Sequence, residues 1–172
     1  MPSIHVCSLA RLESTVARSG ASHLVTIVDK GTPVRRPQSI RADRHLFLGF
    51  NDVTMPMEGM LLPAAHHIER LLGFLGAWDR ERPIVVHCHA GISRSTAAAF
   101  IGLCAIAPDR DEGEIAWGIR RSSPTAFPNP LMVALADGIL GRKGRMSAAV
   151  AAIGRGVDAF ESVPFVLPIK GS

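Results

Sequence analysis

Cysteine is scarce in this chain of 172 residues, and the three present, Cys7, Cys88 and Cys104, make an odd count with no paired spacing. That excludes a disulfide-stapled secreted scaffold and points to a reducing compartment. Long apolar runs are missing too. The longest lies within residues 97–107 and is too short to cross a bilayer, so no membrane span is expected. Residues 1–12 lack the basic segment and apolar core of a signal peptide. Charge of one sign is not gathered into a block. Nineteen Lys and Arg against fifteen Asp and Glu give a net charge of +4, which suits an anionic ligand but is too small and dispersed to indicate nucleic acid. No internal repeat is visible. The composition that remains, 47% hydrophobic and 20% charged, is globular, on a length that suits one domain with its own core. The expectation is a single cytoplasmic domain over residues 1–172, with 142–172 as a C-terminal extension whose structure the pattern does not define.

Period and breakers divide the chain into alternating strands and helices. Ile4–Cys7 reads as a first strand and Ser8–Arg18 as a helix opened by a Ser cap. His23–Val28 reads as a buried strand and His45–Phe50 as a third, with a basic stretch between them holding Arg35, Arg36, Arg41 and Arg44. A loop rich in Met, Pro and Gly leads into a helix over Pro63–Trp78, where Ile68, Leu71, Leu72 and Leu75 recur at helical spacing. Strand Ile84–His87 precedes a helix from Ser93 to Ala107. Further helices are expected from Asp111 to Arg121, capped by Asp109, and from Leu131 to Leu140, ended by Gly141. In the tail, Met146–Ile153 reads as a helix and Pro164–Ile169 as an extended edge segment, because prolines suit an edge. This alternation predicts an α/β fold with a central, mostly parallel sheet flanked by helices on both faces.

The chemistry concentrates at the turn from strand to helix, His87-Cys88-His89-Ala90-Gly91-Ile92-Ser93-Arg94-Ser95. Such a turn points backbone N–H groups into one concavity beside the positive end of the helix dipole, and the nest so formed binds phosphate-like anions. His89, Ala90, Gly91, Ile92, Ser93 and Arg94 form its wall. Gly91 allows positive φ and close approach to a ligand. Arg94 adds a planar fork that grips two oxygens of a phosphoryl group. Those donors favour a thiolate at Cys88, which makes it a nucleophile aimed at phosphorus. The Ser95 hydroxyl can reach back to steady the sulfur as it leaves. A metal site at His87-Cys88-His89 is disfavoured, because adjacent strand residues face opposite ways and no second Cys/His pair completes it.

The motif His-Cys-(five residues)-Arg-Ser, here H-C-H-A-G-I-S-R-S, closely resembles the signature loop of the cysteine-dependent protein tyrosine phosphatase superfamily. The A-G-I-S-R-S wording is most similar to the dual-specificity branch, in a compact, bacterial type of chain. The resemblance implies in-line attack by Cys88, a phosphocysteine intermediate and release of inorganic phosphate, with no metal and no cofactor. It implies that His87 supports the loop through its ring nitrogens, and that the partner is a phosphorylated substrate, a phosphoprotein first. Tyrosine is absent from the chain and lysine from the loop. The aromatic wall of strictly phosphotyrosine-specific enzymes and the extra charge of inositol-lipid phosphatases are therefore both missing. Two other readings stay open: a non-catalytic phospho-ligand-binding module on the same fold, and a sulfurtransferase or arsenate-type cysteine enzyme.

Expelling an alkoxide or phenoxide requires a proton, and hydrolysing a phosphocysteine requires a base; one carboxyl group serves both. Asp52 is the first candidate. It ends a predicted strand, where a parallel sheet opens to ligands, and it starts a loop able to close. Its place, one helix before the cysteine strand, is also similar to the acid-loop arrangement of dual-specificity phosphatases. Asp29 at another strand end is the reserve, followed by Glu58. Cys7 and Cys104 are expected to be buried and inert, and His66 and His67 to lie on a helix face. Met55, Met57 and Met60 are expected as loop packing, Trp78 and Trp117 as core or half-core. Arg120 and Arg121 are expected at a solvated helix end, Asn129 as a helix cap or loop anchor, and Arg35 and Arg36 at the entrance for an anionic substrate.

Overall fold

The computed structural model describes residues 2–171. Its sheet has the order β3-β2-β4-β1-β5. Strands β1 (Ser3–Ser8), β2 (His23–Val28), β3 (His45–Gly49) and β4 (Ile84–Cys88) run parallel, and β5 (Phe165–Pro168) pairs antiparallel with β1. Central β2 and β4 are buried along their whole length. That is why they read as mainly Val/Ile/Leu segments with no regular polar alternation. The closing strand, with its prolines, lies at the sheet edge as expected, where a missing N–H costs no ladder bond.

Helices cover both faces, unevenly. Helix α1 (Leu12–Ser19) packs on one face, where Leu12 and Val16 join Cys7, Leu24, Ile40 and Val85. The other face carries α2 (Ala65–Ala77), α3 (Arg94–Ile106), α4 (Glu112–Ser122), α5 (Pro130–Ile139) and α6 (Arg145–Ile153). Their apolar sides form the main core with Ile4, Val6, Val25, Ile27 and Val86. Helix α3 is buried from Arg94 through Cys104, which explains a sequence with no polar face. Its small residues let neighbours close in: a Cβ placed on Gly102 would sit 3.0 Å from Leu75 Cδ1.

Several caps differ from expectation. Ser8 caps nothing; it ends β1, a 3-10 turn (Leu9–Arg11) follows, and α1 starts only at Leu12. Asp111, not Asp109, caps α4, accepting from the Glu114 N–H. Trp78 is buried, but Trp117 lies on the outer side of α4 with 46% of its surface exposed, because Ile115, Ala116 and Ile119 already fill the inner face. The extension is tied to the body at both ends of α6. Asp137 of α5 accepts from the N–H groups of Gly144 and Met146 at 2.7 Å each. At the other end the Arg120 guanidinium donates to the carbonyls of Ile153 (2.7 Å), Gly154 (3.0 Å) and Ala126 (2.6 Å). Arg120 is thus an anchor and not a solvated helix end. Among the described residues no helix is long and apolar enough to cross a membrane.

Candidate active site

Four parallel strands end at one sheet edge and deliver Ser8, Cys88, Asp29 and Asp52 there, the last two just beyond β2 and β3. At that edge β4 turns through residues 89–93 into α3. Gly91 makes the turn at φ +73°. A side chain there would strike the backbone of β1, with Cys7 C at 2.8 Å and Ser8 N at 2.9 Å from its Cβ, so glycine is needed for conformation and for space alike. The Cys88 thiol is buried at the base of the turn. Its sulfur lies 3.1 Å from Ser95 Oγ and accepts from the Gly91 N–H at 3.2 Å. Cys7 and Cys104 are also buried, but in apolar surroundings that push their thiols up to about 11 and about 12.

Arg94, 6% exposed, is oriented by its neighbours. One amine, Nη1, donates to Asp29 Oδ1 and to the Phe50 carbonyl, both at 2.7 Å. Its Nε is buried with no protein partner. An N–H so placed, beside the Nη2 amine, leaves one edge of the fork for a ligand oxygen. Asp29, the reserve acid, therefore spends one carboxylate oxygen on Arg94, and its Oδ2 stands 3.9 Å from His89 Nε2. Arg36, exposed like Arg35, donates to the Ile40 carbonyl.

Asp52 sits across the loop from Cys88's wall and is held by it. Its Oδ1 accepts from the hydroxyl of Ser93 and from Asn129 Nδ2, each at 2.8 Å. Asn129 does two jobs: its Oδ1 caps α5 by accepting from the Leu131 and Met132 N–H groups, and its amide reaches back to Asp52. With Oδ1 taken by two donors, any proton carried by this carboxyl resides on Oδ2. The loop after Asp52 is closed at its base by Asn51, whose N–H donates to the Leu61 carbonyl (2.8 Å) and whose Oδ1 accepts from the Leu61 N–H (2.7 Å).

Two groups at this edge lay beyond the reach of the sequence. Thr26, in the middle of β2, bonds His87 Nε2 and His45 Nε2 at 2.8 Å each, while His87 Nδ1 faces the Cys88 carbonyl at 3.3 Å. A carbonyl only accepts, so Nδ1 carries the hydrogen, Nε2 accepts from the Thr26 hydroxyl, and that hydroxyl accepts from His45. Ser8 is the other. It is the register partner of Cys88 on β1, fully buried, and its hydroxyl has no protein partner. A buried Ser at a strand end carries no signal in one sequence.

Burial lowers His87 to about 4. An unfolded His titrates near 6.5, so the neutral ring's contribution is present above that pH and is lost as pH falls toward 4. About 2 to 3 kcal/mol should go between pH 7 and pH 4.5. In chemical denaturation at both values, His87→Asn should show a smaller drop than the unaltered chain; an equal drop would assign the sensitivity elsewhere.

A groove of about 640 Å³ between α4 and β5, lined by Arg110, Trp117, Arg121 and Leu167, shares no residue with the cysteine loop. Size alone does not make it the candidate site; the Cys88 thiol, the Arg94 guanidinium and the Asp52 carboxyl group all lie where the parallel strands end. Among the described residues, no three His, Cys, Asp or Glu side chains gather as a metal site would require.

No family model matches the sequence, and no curated protein matches it either. Solved structures do. The Cydia pomonella PTP-2 phosphatase is 19% identical with a TM-score of 0.62, the match covering 78% of this chain and 84% of that one. Human DUSP28 is 19% identical with a TM-score of 0.60, over 88% and 95% of the two chains. The human tyrosine phosphatase-like serine/threonine/tyrosine-interacting protein is 14% identical with a TM-score of 0.63, over 83% and 97%. The fold is that of the dual-specificity and tyrosine phosphatase-like proteins.

Proposed function

We propose that this chain is a cysteine-dependent phosphomonoester hydrolase of the dual-specificity type. The observation that carries the proposal is the pairing of Asp52 with the cysteine loop itself, through Ser93 Oγ at 2.8 Å. A proton donor is thereby held at the mouth of a cradle whose base is a buried thiol. The substrate phosphoryl oxygens bind the loop N–H groups of residues 89–94 and the free edge of Arg94. The Cys88 thiolate attacks phosphorus in line, the P–O ester bond breaks, and Asp52 Oδ2 delivers its proton to the departing oxygen. Asp52, now a carboxylate, takes a proton from water as that water attacks the phosphocysteine. The S–P bond breaks, the Ser95 hydroxyl donates to the returning thiolate, and inorganic phosphate leaves. His87 holds the Cys88 carbonyl in place, and no step calls for a metal or cofactor.

The purified chain should hydrolyse a small aryl phosphate in the presence of a chelator, be blocked by vanadate, and yield phosphate bound to Cys88 on acid quench. Asp52→Asn separates the acid's part. With an ester whose leaving group is a poor one, such as a simple phenol, kcat/KM, which covers only the steps through loss of the alcohol, should fall about 10²-fold or more, since general acid catalysis is worth 10²–10⁴. With a nitrophenol, which leaves unaided, the fall should be far smaller. Equal losses for both leaving groups would remove Asp52 from the proton-transfer role. Activity that depends on a divalent cation would overturn the whole reading.

A further inference from the structure

Among the described residues, most of the large apolar side chains left exposed lie on three segments, residues 53–61, Phe127 and residues 157–163, while Trp117, Ile139 and Val166 stand apart on α4, α5 and β5. Met55 and Met57 stand out on the loop that begins at Asp52, and Phe127, Val157, Phe160 and Val163 on two other segments. The methionines are thus exposed instead of packing the loop. Backbone hydrogen bonds tie the last two segments to the cysteine loop, and the first joins it through the Asp52 carboxylate at Ser93. The Phe127 N–H donates to the Ile92 carbonyl at 2.9 Å, and the Ser162 N–H donates to the Ala90 carbonyl at 2.9 Å. The Val157 N–H donates to the Pro124 carbonyl at 3.0 Å, so residues 157–163 cross beside the loop as a strap. Phe160 is fully exposed at 104%, although it lies only two residues from the point where the strap bonds Ala90.

An isolated exposed Phe needs no explanation, whereas a concentrated apolar rim marks a contact surface. The cradle within the rim fixes half the chemistry of what it meets, because that occupant carries a phosphate. The rim's charges indicate the other half. Arg155 pairs with Asp158 at 2.7 Å and Arg11 with Glu161 at 3.2 Å. The strap therefore offers no surplus of cations to an anionic bilayer. Flexible Met beside an aromatic anchor suits the varied side chains of a polypeptide. We infer that the rim selects phosphorylated peptide segments with large apolar side chains flanking the phosphoresidue, and that Phe160 is its specificity-determining residue. This inference rests on the phosphate-binding part of the proposed function.

The test uses Cys88→Ser protein, which binds without turnover, and two fluorescent phosphopeptides of equal charge, one with Leu and Phe flanking the phosphoresidue and one with Ser and Gly. The apolar peptide should bind at least 10-fold tighter. Adding Phe160→Asp should cut that preference to about 2-fold, while Phe160→Asp in the otherwise unaltered chain leaves aryl phosphate turnover unchanged. Equal affinities, or a preference indifferent to Phe160→Asp, would overturn the inference. So would Phe160-dependent sedimentation with phosphatidylcholine vesicles containing a phosphorylated inositol lipid, without peptide preference. A chain inert toward aryl phosphate would sink the enzyme reading instead, and the ratio of the two peptide affinities would still decide the rim.

Discussion

Cys88→Ser should abolish phosphomonoester turnover while leaving the fold and the binding of a phosphorylated ligand intact. The reason lies in what surrounds the sulfur. Its partners are the Ser95 hydroxyl at 3.1 Å and the Gly91 N–H at 3.2 Å, and neither is a base. Of the two imidazoles adjacent in sequence, His87 is bonded to Thr26 and to the Cys88 carbonyl, and His89 stands beside Asp29, with Nε2 at 3.9 Å from Oδ2. A thiol becomes a nucleophile by ionising; an alcohol needs a general base, as in serine hydrolases, and neither partner of the sulfur is one. Loss of a nucleophile that acts as part of a unit costs about 10⁶-fold in kcat in the best-measured serine enzyme, and a fall of about 10⁵ or more is expected here. Affinity for a phosphopeptide should hold, because the cradle's N–H groups and Arg94 stay in place. Residual turnover above about 1% would mean that Cys88 is not the attacking group.

The parts of this molecule that could be read from the sequence are the ones encoded locally. A β-branched run, a glycine-containing turn and a small-residue helix announce the segment from Ile84 to Ile106 whatever surrounds it. The edge position of the last strand was legible from its prolines. Candidate acids could be named for a related reason: ends of parallel strands share one edge, so Asp29 and Asp52 were both brought there before any order was known. Ranking them by contact was not possible, because contacts depend on strand order. With β2 between β3 and β4, Asp29 meets Arg94, and Asp52 is left to Ser93 and Asn129. The same order lets one Thr26 hydroxyl join two histidines that lie 19 and 61 residues away. Arg120, judged by its place at a helix end, holds the end of another helix whose position the pattern did not supply. Trp117 was misjudged because size was used in place of helical phase. The methionine loop was misjudged because apolar character was taken to mean packing.

Arg94→Lys should cost about 10³-fold in kcat and weaken phosphate affinity, a far larger change than loss of one cation for another suggests. The guanidinium does two things at once. Its Nη1 is fixed by Asp29 Oδ1 and the Phe50 carbonyl, and its remaining edge, with Nε unpartnered and buried, stays free for a ligand oxygen. Phe50 lies two residues before Asp52, so the arginine also ties the segment that carries Asp52 to the start of α3. A lysine has one ammonium at the end of a flexible stem. It can satisfy Asp29 or reach a phosphoryl oxygen, and it presents no planar pair of donors to the equatorial oxygens, where charge spreads in the transition state. Removing a single preorganised donor from such a site costs 10²–10³-fold, and two are lost here. Asp29→Asn gives the control. It keeps an acceptor for Nη1 but removes the charge, so it should cost about 10-fold or less alone. Combined with Arg94→Lys it should add almost nothing, since the arginine it positions is already gone. Independent, multiplying losses in the double variant would show that Asp29 acts on the reaction directly and not through Arg94.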